Sequence, residues 1–150
     1  MVYYGDEVGM WGANDPDDRK PMIWEDIKYE DEVTNPDGSK RPADKVAVNK
    51  ELQQHYRKLI QLRNTLPALQ LGDFSTLLVD DKNNLYGFER QYQQQRVRVI
   101  LNNSDKPQQV TLNRDQLNWQ EQLDQLPVTV NGDTLRLTIP AKWGAVLVAQ

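Results

Sequence analysis

The stretch Leu85–Asn102, LYGFERQYQQQRVRVILN, decides the fold class of the second half of the chain. Residues 85–92 and 97–102 are short runs with alternating or β-branched side chains, a composition that is typical of strands. The polar run QQQ at 93–95 lies between them and suits the tip of a hairpin. We therefore predict two neighbouring antiparallel strands.

The same pattern continues on both sides of this stretch. Polar turns at residues 80–84 and 131–133 separate further runs, and Asn131-Gly132 is a strong hairpin signal. Seven short strands at this spacing favour an antiparallel β-sandwich over residues 71–150. The five further predicted strands are Phe74–Val79, Gln109–Leu112, Val128–Val130, Thr134–Ile139 and Ala145–Val148.

One amphipathic helix precedes the predicted sandwich. Asn49 is suited to be its N-cap, and Pro67 stops it near Thr65. Spacings of three and four residues place several apolar side chains on one helical face, and these are Leu52, Tyr56, Leu59 and Ile60. We expect this face to pack on another part of the protein, to contact a second copy, or to remain as an exposed patch.

The first 48 residues are different in kind. Val2-Tyr3-Tyr4, closed by Gly5, has the composition of a strand end that enters a loop. From Gly5 to Val48 neither helical nor strand periodicity appears, and turn-forming Pro, Asn, Asp and Gly residues recur. Trp11 and Trp24 make this segment too apolar for a disordered tail. We predict a folded loop with a binding function.

Length and charge limit the possible classes of protein. The chain has 150 residues, whereas a complete (β/α)8 barrel needs roughly 250. Its net charge of -4 is uneven, since residues 1–49 carry twelve acidic and six basic side chains and residues 50–150 carry ten and twelve. Without a dense basic stripe, nucleic acid is not an expected partner. No run approaches the roughly 18 apolar residues of a membrane span.

The sequence leaves the cellular compartment open. The absence of cysteine removes disulfides, thiolate catalysis and cysteine metal sites, but it is compatible with cytoplasmic and exported proteins alike. Residues 1–10 hold no basic segment followed by an apolar stretch, so we expect no signal peptide there. An N-terminus further upstream would leave that question unanswered.

Three ordered motifs carry a resemblance to a known family. They are VYYGDEVGM at 2–10, GANDPDDRKPMIW at 12–24, and YRKLIQLR at 56–63 with PAL at 67–69 and GDF at 72–74. The first resembles the last barrel strand of α-amylase-family glycoside hydrolases (family 13). The second resembles the loop after that strand in the neopullulanase and cyclomaltodextrinase branch. The third resembles the last barrel helix and the passage into the C-terminal domain.

This resemblance implies an α+β fold. Residues 1–70 would be the last strand, loop and helix of a (β/α)8 barrel, and residues 71–150 an antiparallel β-sandwich domain. The parent enzyme would be a retaining glycosidase that cleaves α-1,4-glucosidic bonds in maltodextrins, cyclodextrins or pullulan. Its catalytic carboxylates would follow earlier barrel strands, so no catalytic residue is predicted here and the chain alone should be inactive. Expected partners are an α-glucan oligosaccharide and the rest of the barrel or another copy of the chain.

The loop supplies the predicted substrate-binding residues. A carboxylate accepts hydrogen bonds from vicinal sugar hydroxyls and a guanidinium donates in a fork, so Asp15 and Arg19 suit a glucose ring. The resemblance places them at a donor-side subsite, with Asn14, Asp18 and Trp11 as further candidates. Two alternatives stay open, because an Asp15–Arg19 pair can simply tie the loop together and Trp11 can act as a hydrophobic pin.

Other polar residues of the first half are assigned structural or surface roles. Tyr4, Gly5 and Glu7 match the strand motif of the family, in which Glu7 holds loop backbone. Asp6 and Glu7 are poor candidates for a catalytic pair, because adjacent residues of a strand point to opposite faces. His55 has no evident partners for metal binding or general-base chemistry, so we interpret it as a surface histidine.

No cofactor or metal site is evident from the sequence. The acidic run at 15–18 fails the EF-hand pattern, although a calcium requirement of the parent enzyme stays open. Trp119 and Trp143 are predicted to lie in the core or on the sheet surface of the sandwich. A second hypothesis makes the chain a non-catalytic carbohydrate-binding or packing β-sandwich module, with these two tryptophans as the candidates for sugar contact.

Overall fold

The chain divides into two compact units, Met1–Lys58 and Leu59–Gln150. The computed structural model describes residues 1–12, 15 and 17–150. Within these residues, no helix has the length and apolar character needed to cross a membrane.

The first unit contains a β-hairpin that the sequence did not predict. β1 (Glu32–Thr34) and β2 (Lys40–Asp44) pair antiparallel. In the turn between them, Asn35 N–H donates to Ser39 O over 2.7 Å and Gly38 has a φ of +81°, which glycine adopts without steric cost. The prediction of a loop without regular structure from residue 5 to 48 is therefore wrong in this part. The strands are short and lack apolar alternation, which is why the pattern missed them.

Residues 1–4 form no strand, and this corrects the prediction from Val2-Tyr3-Tyr4. A strand needs a neighbour to satisfy its backbone groups, and no described strand pairs with these residues. Instead, Tyr3 N–H donates to the Asp6 carboxylate over 3.0 Å, and a 3-10 turn follows at Asp6–Val8. The assignment of residues 1–70 to a barrel stays a prediction.

The predicted helix is confirmed as α1 (Lys50–Thr65). Asn49 is its N-cap, because Asn49 Oδ1 accepts the Leu52 N–H over 3.0 Å. Its apolar face is only partly covered, since Leu59 and Ile60 are 38% and 50% exposed.

The end of α1 near Pro67 is also confirmed, but a second helix that was not predicted begins there. α2 (Pro67–Leu71) has Pro67 at its start, where a missing N–H costs nothing. The Ala68 N–H, which has no carbonyl partner inside so short a helix, donates to the Gln95 side-chain oxygen over 2.8 Å.

The second unit is an antiparallel β-sandwich, as predicted. Its strands are β3 (Asp73–Asp80), β4 (Leu85–Tyr92), β5 (Gln95–Asn102), β6 (Gln108–Asn113), β7 (Trp119–Glu121), β8 (Thr129–Asn131), β9 (Thr134–Ile139) and β10 (Trp143–Ala149). One sheet has the order β3-β4-β5-β10-β7 and the other the order β6-β9-β8. All seven predicted strands are confirmed with ends within two residues, and only β7 was missed.

Hydrophobic clusters cover both faces of the larger sheet. Between the two sheets lie Leu85, Ile100, Val110, Leu112, Trp119, Leu135, Leu137, Ile139, Ala145 and Leu147. On the opposite face, α2 and the end of α1 pack against Val97, Val146 and Val148. Successive side chains of β10 therefore enter different clusters. This explains why β10 is a continuous apolar run, whereas β9 alternates between buried and exposed residues.

Candidate functional site

The predicted sugar-binding pair lies on the surface of the first unit. Asp15 and Arg19 form an ion pair, and their side chains are 65% and 63% exposed. Arg19 ends a 3-10 turn, Asp17–Arg19, which brings it back toward Asp15. An exposed ion pair of this kind contributes only about 0–1 kcal/mol, so both groups can exchange it for hydroxyl groups of a ligand at small cost. The further candidate Asn14 lies outside the described residues.

Trp11 is held by two cations. Lys20 Nζ lies 3.6 Å and Arg41 Cζ 4.1 Å from the centroid of its ring. Such contacts stabilise by about 0.5–1 kcal/mol at exposed sites and more where water is excluded. The ring is still 37% exposed, so part of it remains accessible.

Lys20 connects this ring to the hairpin. Its Nζ lies 2.9 Å from both Oε1 and Oε2 of Glu32 on β1, and 3.4 Å from Asp17 Oδ1. The Lys20 side chain is only 20% exposed. We call Trp11, Lys20, Glu32 and Arg41 the Trp11 cluster.

The residues of the strand motif hold the backbone beside this cluster. The Tyr4 hydroxyl donates to the Lys20 carbonyl oxygen over 3.0 Å, and the Gly5 N–H donates to Glu7 Oε2 over 3.1 Å. Gly5 has a φ of +95°, and a Cβ there would lie 2.6 Å from Met10 Sδ. Only glycine fits this position without displacing its neighbour.

A groove of about 310 Å³ opens at the Trp11 cluster. Trp11, Lys20 and Glu32 form part of its wall. The remaining lining residues come from four segments of the first unit: Gly9, Met10, Pro21, Ile23, Tyr29, Glu30, Lys45, Val46 and Ala47. Sequence reasoning found Trp11 but missed Lys20, Glu32 and Arg41. Their approach depends on the hairpin, which left no periodic signal in the sequence.

The site combines acidic and basic side chains, and its described residues show no metal-binding arrangement. Within the described part of the chain, no group of three or more His, Cys, Asp or Glu side chains is placed to hold a metal ion. At the edge of the first unit, Lys50 lowers the pKa of Glu25, first through a hydrogen bond and then through its charge.

The two tryptophans of the sandwich have different environments. Trp119 is 7% exposed, and its Nε1 donates to the Arg114 carbonyl over 2.8 Å. Trp143 is 37% exposed, and its Nε1 donates to Asp124 Oδ2 over 2.6 Å. Trp119 is thus a core residue and Trp143 a surface residue. The sequence predicted that each would lie in the core or on the sheet surface of the sandwich.

Comparison with known proteins identifies the class of protein. Residues 74–145 match the family described as the maltogenic amylase C-terminal domain. Neopullulanase 2 from Thermoactinomyces vulgaris is 39% identical over 112 residues, which make up 75% of this chain and 16% of that protein. A cyclomaltodextrinase from Thermoanaerobacter pseudethanolicus is 37% identical over 112 residues, with the same two shares. The chain thus spans only a small part of the length of these relatives.

Solved structures agree with these sequence matches. The α-amylase from Geobacillus thermoleovorans, solved with acarbose, is 26% identical with a TM-score of 0.75, over 99% of this chain and 29% of that one. A solved cyclomaltodextrinase is 26% identical with a TM-score of 0.74, over 99% of this chain and 23% of that one. The chain belongs to the α-amylase family of glycoside hydrolases. More particularly, it is similar to the C-terminal part of the neopullulanases and cyclomaltodextrinases, as the sequence motifs predicted.

Proposed function

We propose that this chain acts as the C-terminal portion of a retaining glycosidase that cleaves α-1,4-glucosidic bonds in maltodextrins, cyclodextrins or pullulan. Residues 1–70 would complete the (β/α)8 barrel with its last strand, loop and helix, and residues 71–150 are its C-terminal domain. The similarity to Neopullulanase 2, over 75% of the chain, is the main support.

The catalytic carboxylates of this enzyme would come from other strands of the barrel. Retaining glycosidases need two carboxyl groups about 5–5.5 Å apart across the scissile bond. The adjacent carboxylates of the first unit are already engaged, since Asp6 accepts the Tyr3 N–H and Glu7 accepts the Gly5 N–H. These bonds support a structural role for both residues and a chain that is inactive alone.

The exposed loop would form one wall of a donor-side subsite. Asp15 would accept hydrogen bonds from two sugar hydroxyls while Arg19 donates to a neighbouring oxygen. Asn14 and Trp11 would complete the contact with the ring. The exposure of Asp15 and Arg19 supports this role, because neither is committed to a buried partner.

The apolar face of α1 would contact the rest of the barrel or another copy of the chain. Leu59 and Ile60 are the exposed members of that face. Exposed apolar side chains that are adjacent on a helix are typical of a surface that packs against a partner.

A chimeric enzyme tests the proposal. The segment of Neopullulanase 2 that aligns with this chain is replaced by the chain, and KM and kcat are measured on maltoheptaose. We expect hydrolysis, and Arg19→Ala should raise KM about tenfold, since a hydrogen bond from a charged group contributes ~1.5 kcal/mol. Arg136→Ala, on the exposed face of β9, is the matched control and should leave KM unchanged.

Two results would contradict the proposal. Hydrolysis of maltoheptaose by the 150-residue chain alone would mean that the chain holds its own catalytic acids. An unchanged KM in the Arg19→Ala chimera would remove the subsite assignment.

An aromatic surface of the sandwich favours a second candidate, a carbohydrate-binding module. The Phe74 and Phe88 rings are stacked with centroids 5.2 Å apart, and Tyr86 lies 6.1 Å from Phe88. Phe74 is 57% and Tyr86 37% exposed. Exposed aromatic rings can stack on the faces of sugar rings. Loss of maltoheptaose binding in Phe74→Ala or in Trp143→Ala would therefore favour this candidate.

A further inference from the structure

Lys20 contacts two carboxylates and an aromatic ring, which is unusual for a lysine on a protein surface. Its ammonium group has three N–H donors. It reaches both carboxylate oxygens of Glu32 at 2.9 Å, while Asp17 Oδ1 lies at 3.4 Å and the Trp11 ring centroid at 3.6 Å. With a side chain 20% exposed, these interactions are less screened by water and salt than those of a fully exposed pair.

The backbone of Lys20 is fixed as well as its side chain. The Tyr4 hydroxyl donates to the Lys20 carbonyl oxygen over 3.0 Å. Lys20 directly follows Arg19, the last residue of the turn that carries the exposed ion pair with Asp15. The hydrogen bond from Tyr4 therefore holds the backbone at the residue next to Arg19.

Both strands of the hairpin take part in this arrangement. Glu32 on β1 acts on Trp11 through Lys20, and Arg41 on β2 contacts the ring directly. The hairpin thus contacts the loop through both of its strands. Removal of the Lys20 charge would weaken the hold on Trp11 and break the link between the loop and Glu32, while Arg41 and the Tyr4 hydroxyl keep their contacts.

We propose that Lys20 is a positioning residue of the glucan subsite, which orients Trp11 and Arg19 by linking the loop to Glu32 of the hairpin. This inference rests on the proposed function, because it presumes that the loop binds an α-glucan. Lys20 itself need not touch the sugar.

The test uses the 150-residue chain with maltoheptaose as the probe. Calorimetry gives the Kd, and the indole N–H resonance of Trp11, assigned through Trp11→Phe, reports the position of the ring. Lys20→Met should raise the Kd about fivefold, because contacts of ~1 kcal/mol are lost, and should shift the Trp11 resonance. Lys20→Arg keeps the charge and should restore both. Lys28→Met, at an exposed lysine of the same unit, should change neither.

Two further variants separate the possible failures. Glu32→Gln keeps Lys20 and its contact with Asp17 but removes the ion pair with Glu32, and it should raise the Kd in the same direction as Lys20→Met does. Because two different variants are expected to weaken binding, a folding defect in one of them does not decide the test. If Lys20→Met shifts the Trp11 resonance but leaves the Kd unchanged, Lys20 is merely structural and the inference is overturned. If Arg19→Ala leaves the Kd unchanged, or if the unaltered chain does not bind, the proposed subsite itself is wrong.

Discussion

Arg98 Nε donates to Glu89 Oε2 over 2.7 Å, and the two residues lie directly opposite each other on β5 and β4. Arg98 is 1% exposed and Glu89 8% exposed. The Arg98 guanidinium also contacts Asp115 and lies 4.1 Å from the centroid of the Trp119 ring. Charged groups at this depth are stable only when every partner is in place.

Removal of Arg98 should therefore destabilise the sandwich strongly. We expect Arg98→Met to lower the free energy of unfolding by ~1.5–3 kcal/mol, since the buried Glu89 carboxylate would lose its hydrogen bond from Arg98 and keep only those from Arg96. Urea unfolding followed by tryptophan fluorescence and by circular dichroism measures this change. Arg136→Met, on the exposed face of β9, is the control and should stay within about 0.5 kcal/mol of the wild type. Equal stability of the two variants would show that the pair does not stabilise the fold.

Glu121 offers a second test of buried polar groups. Its Oε1 accepts the N–H groups of Leu123 and Val146, and its Oε2 accepts those of Asp124 and Leu126, over 2.7–3.0 Å. In Glu121→Gln an amide NH2 would face two N–H donors, so at least two hydrogen bonds would be lost. We expect a loss of ~2–4 kcal/mol in unfolding free energy. A loss below about 0.5 kcal/mol, the size expected for a surface substitution, would contradict the bonding that the structure shows.

The stability of the sandwich should depend on pH through Asp115. Burial raises the pKa of this carboxyl, but the hydrogen bond from Arg96 and the charges of Arg98 and Arg96 outweigh burial, so the pKa is lowered. A lowered folded pKa means that Asp115 contributes stability above its unfolded pKa of about 3.9, and that this contribution is lost as pH falls through the folded value.

The variant Asp115→Asn isolates this contribution. The wild type should be more stable than the variant near pH 6, and the difference should shrink as pH is lowered below about 4. Unfolding free energies across this range measure it. Asp105→Asn, at a side chain that is 88% exposed, is the control and should follow the wild type. A difference between wild type and Asp115→Asn that grows toward low pH would refute the assignment.

The sandwich could be predicted from the sequence because its strands carry a local signal. The alternation of apolar and polar residues in β9 and the turn signal at Asn131-Gly132 predicted the ends of β9 as the structure has them. β7 escaped prediction because its Glu121 is a buried charge that hydropathy patterns assign to the surface. The prediction of α1 was confirmed for the same reason, because the N-cap Asn49 and the terminating Pro67 are also local signals.

The candidate site was predicted only in part, because its contacts are not local. Asp15, Arg19 and Trp11 came from a motif, and that motif says nothing about what holds them. Lys20 and Glu32 are twelve residues apart, and the described residues between them form no helix or strand that would bring them together. A periodic pattern cannot report such a contact, and the same applies to Arg41 beside Trp11.

A map of chemical-shift changes on titration with maltoheptaose tests the central claim most directly. In the 150-residue chain, we predict that the amide resonances that move belong to residues 11–20 and to the hairpin strand that contains Glu32. Shifts confined to the aromatic surface around Phe74 and Tyr86, with none in the loop, would contradict the account and support the sandwich as the binding surface.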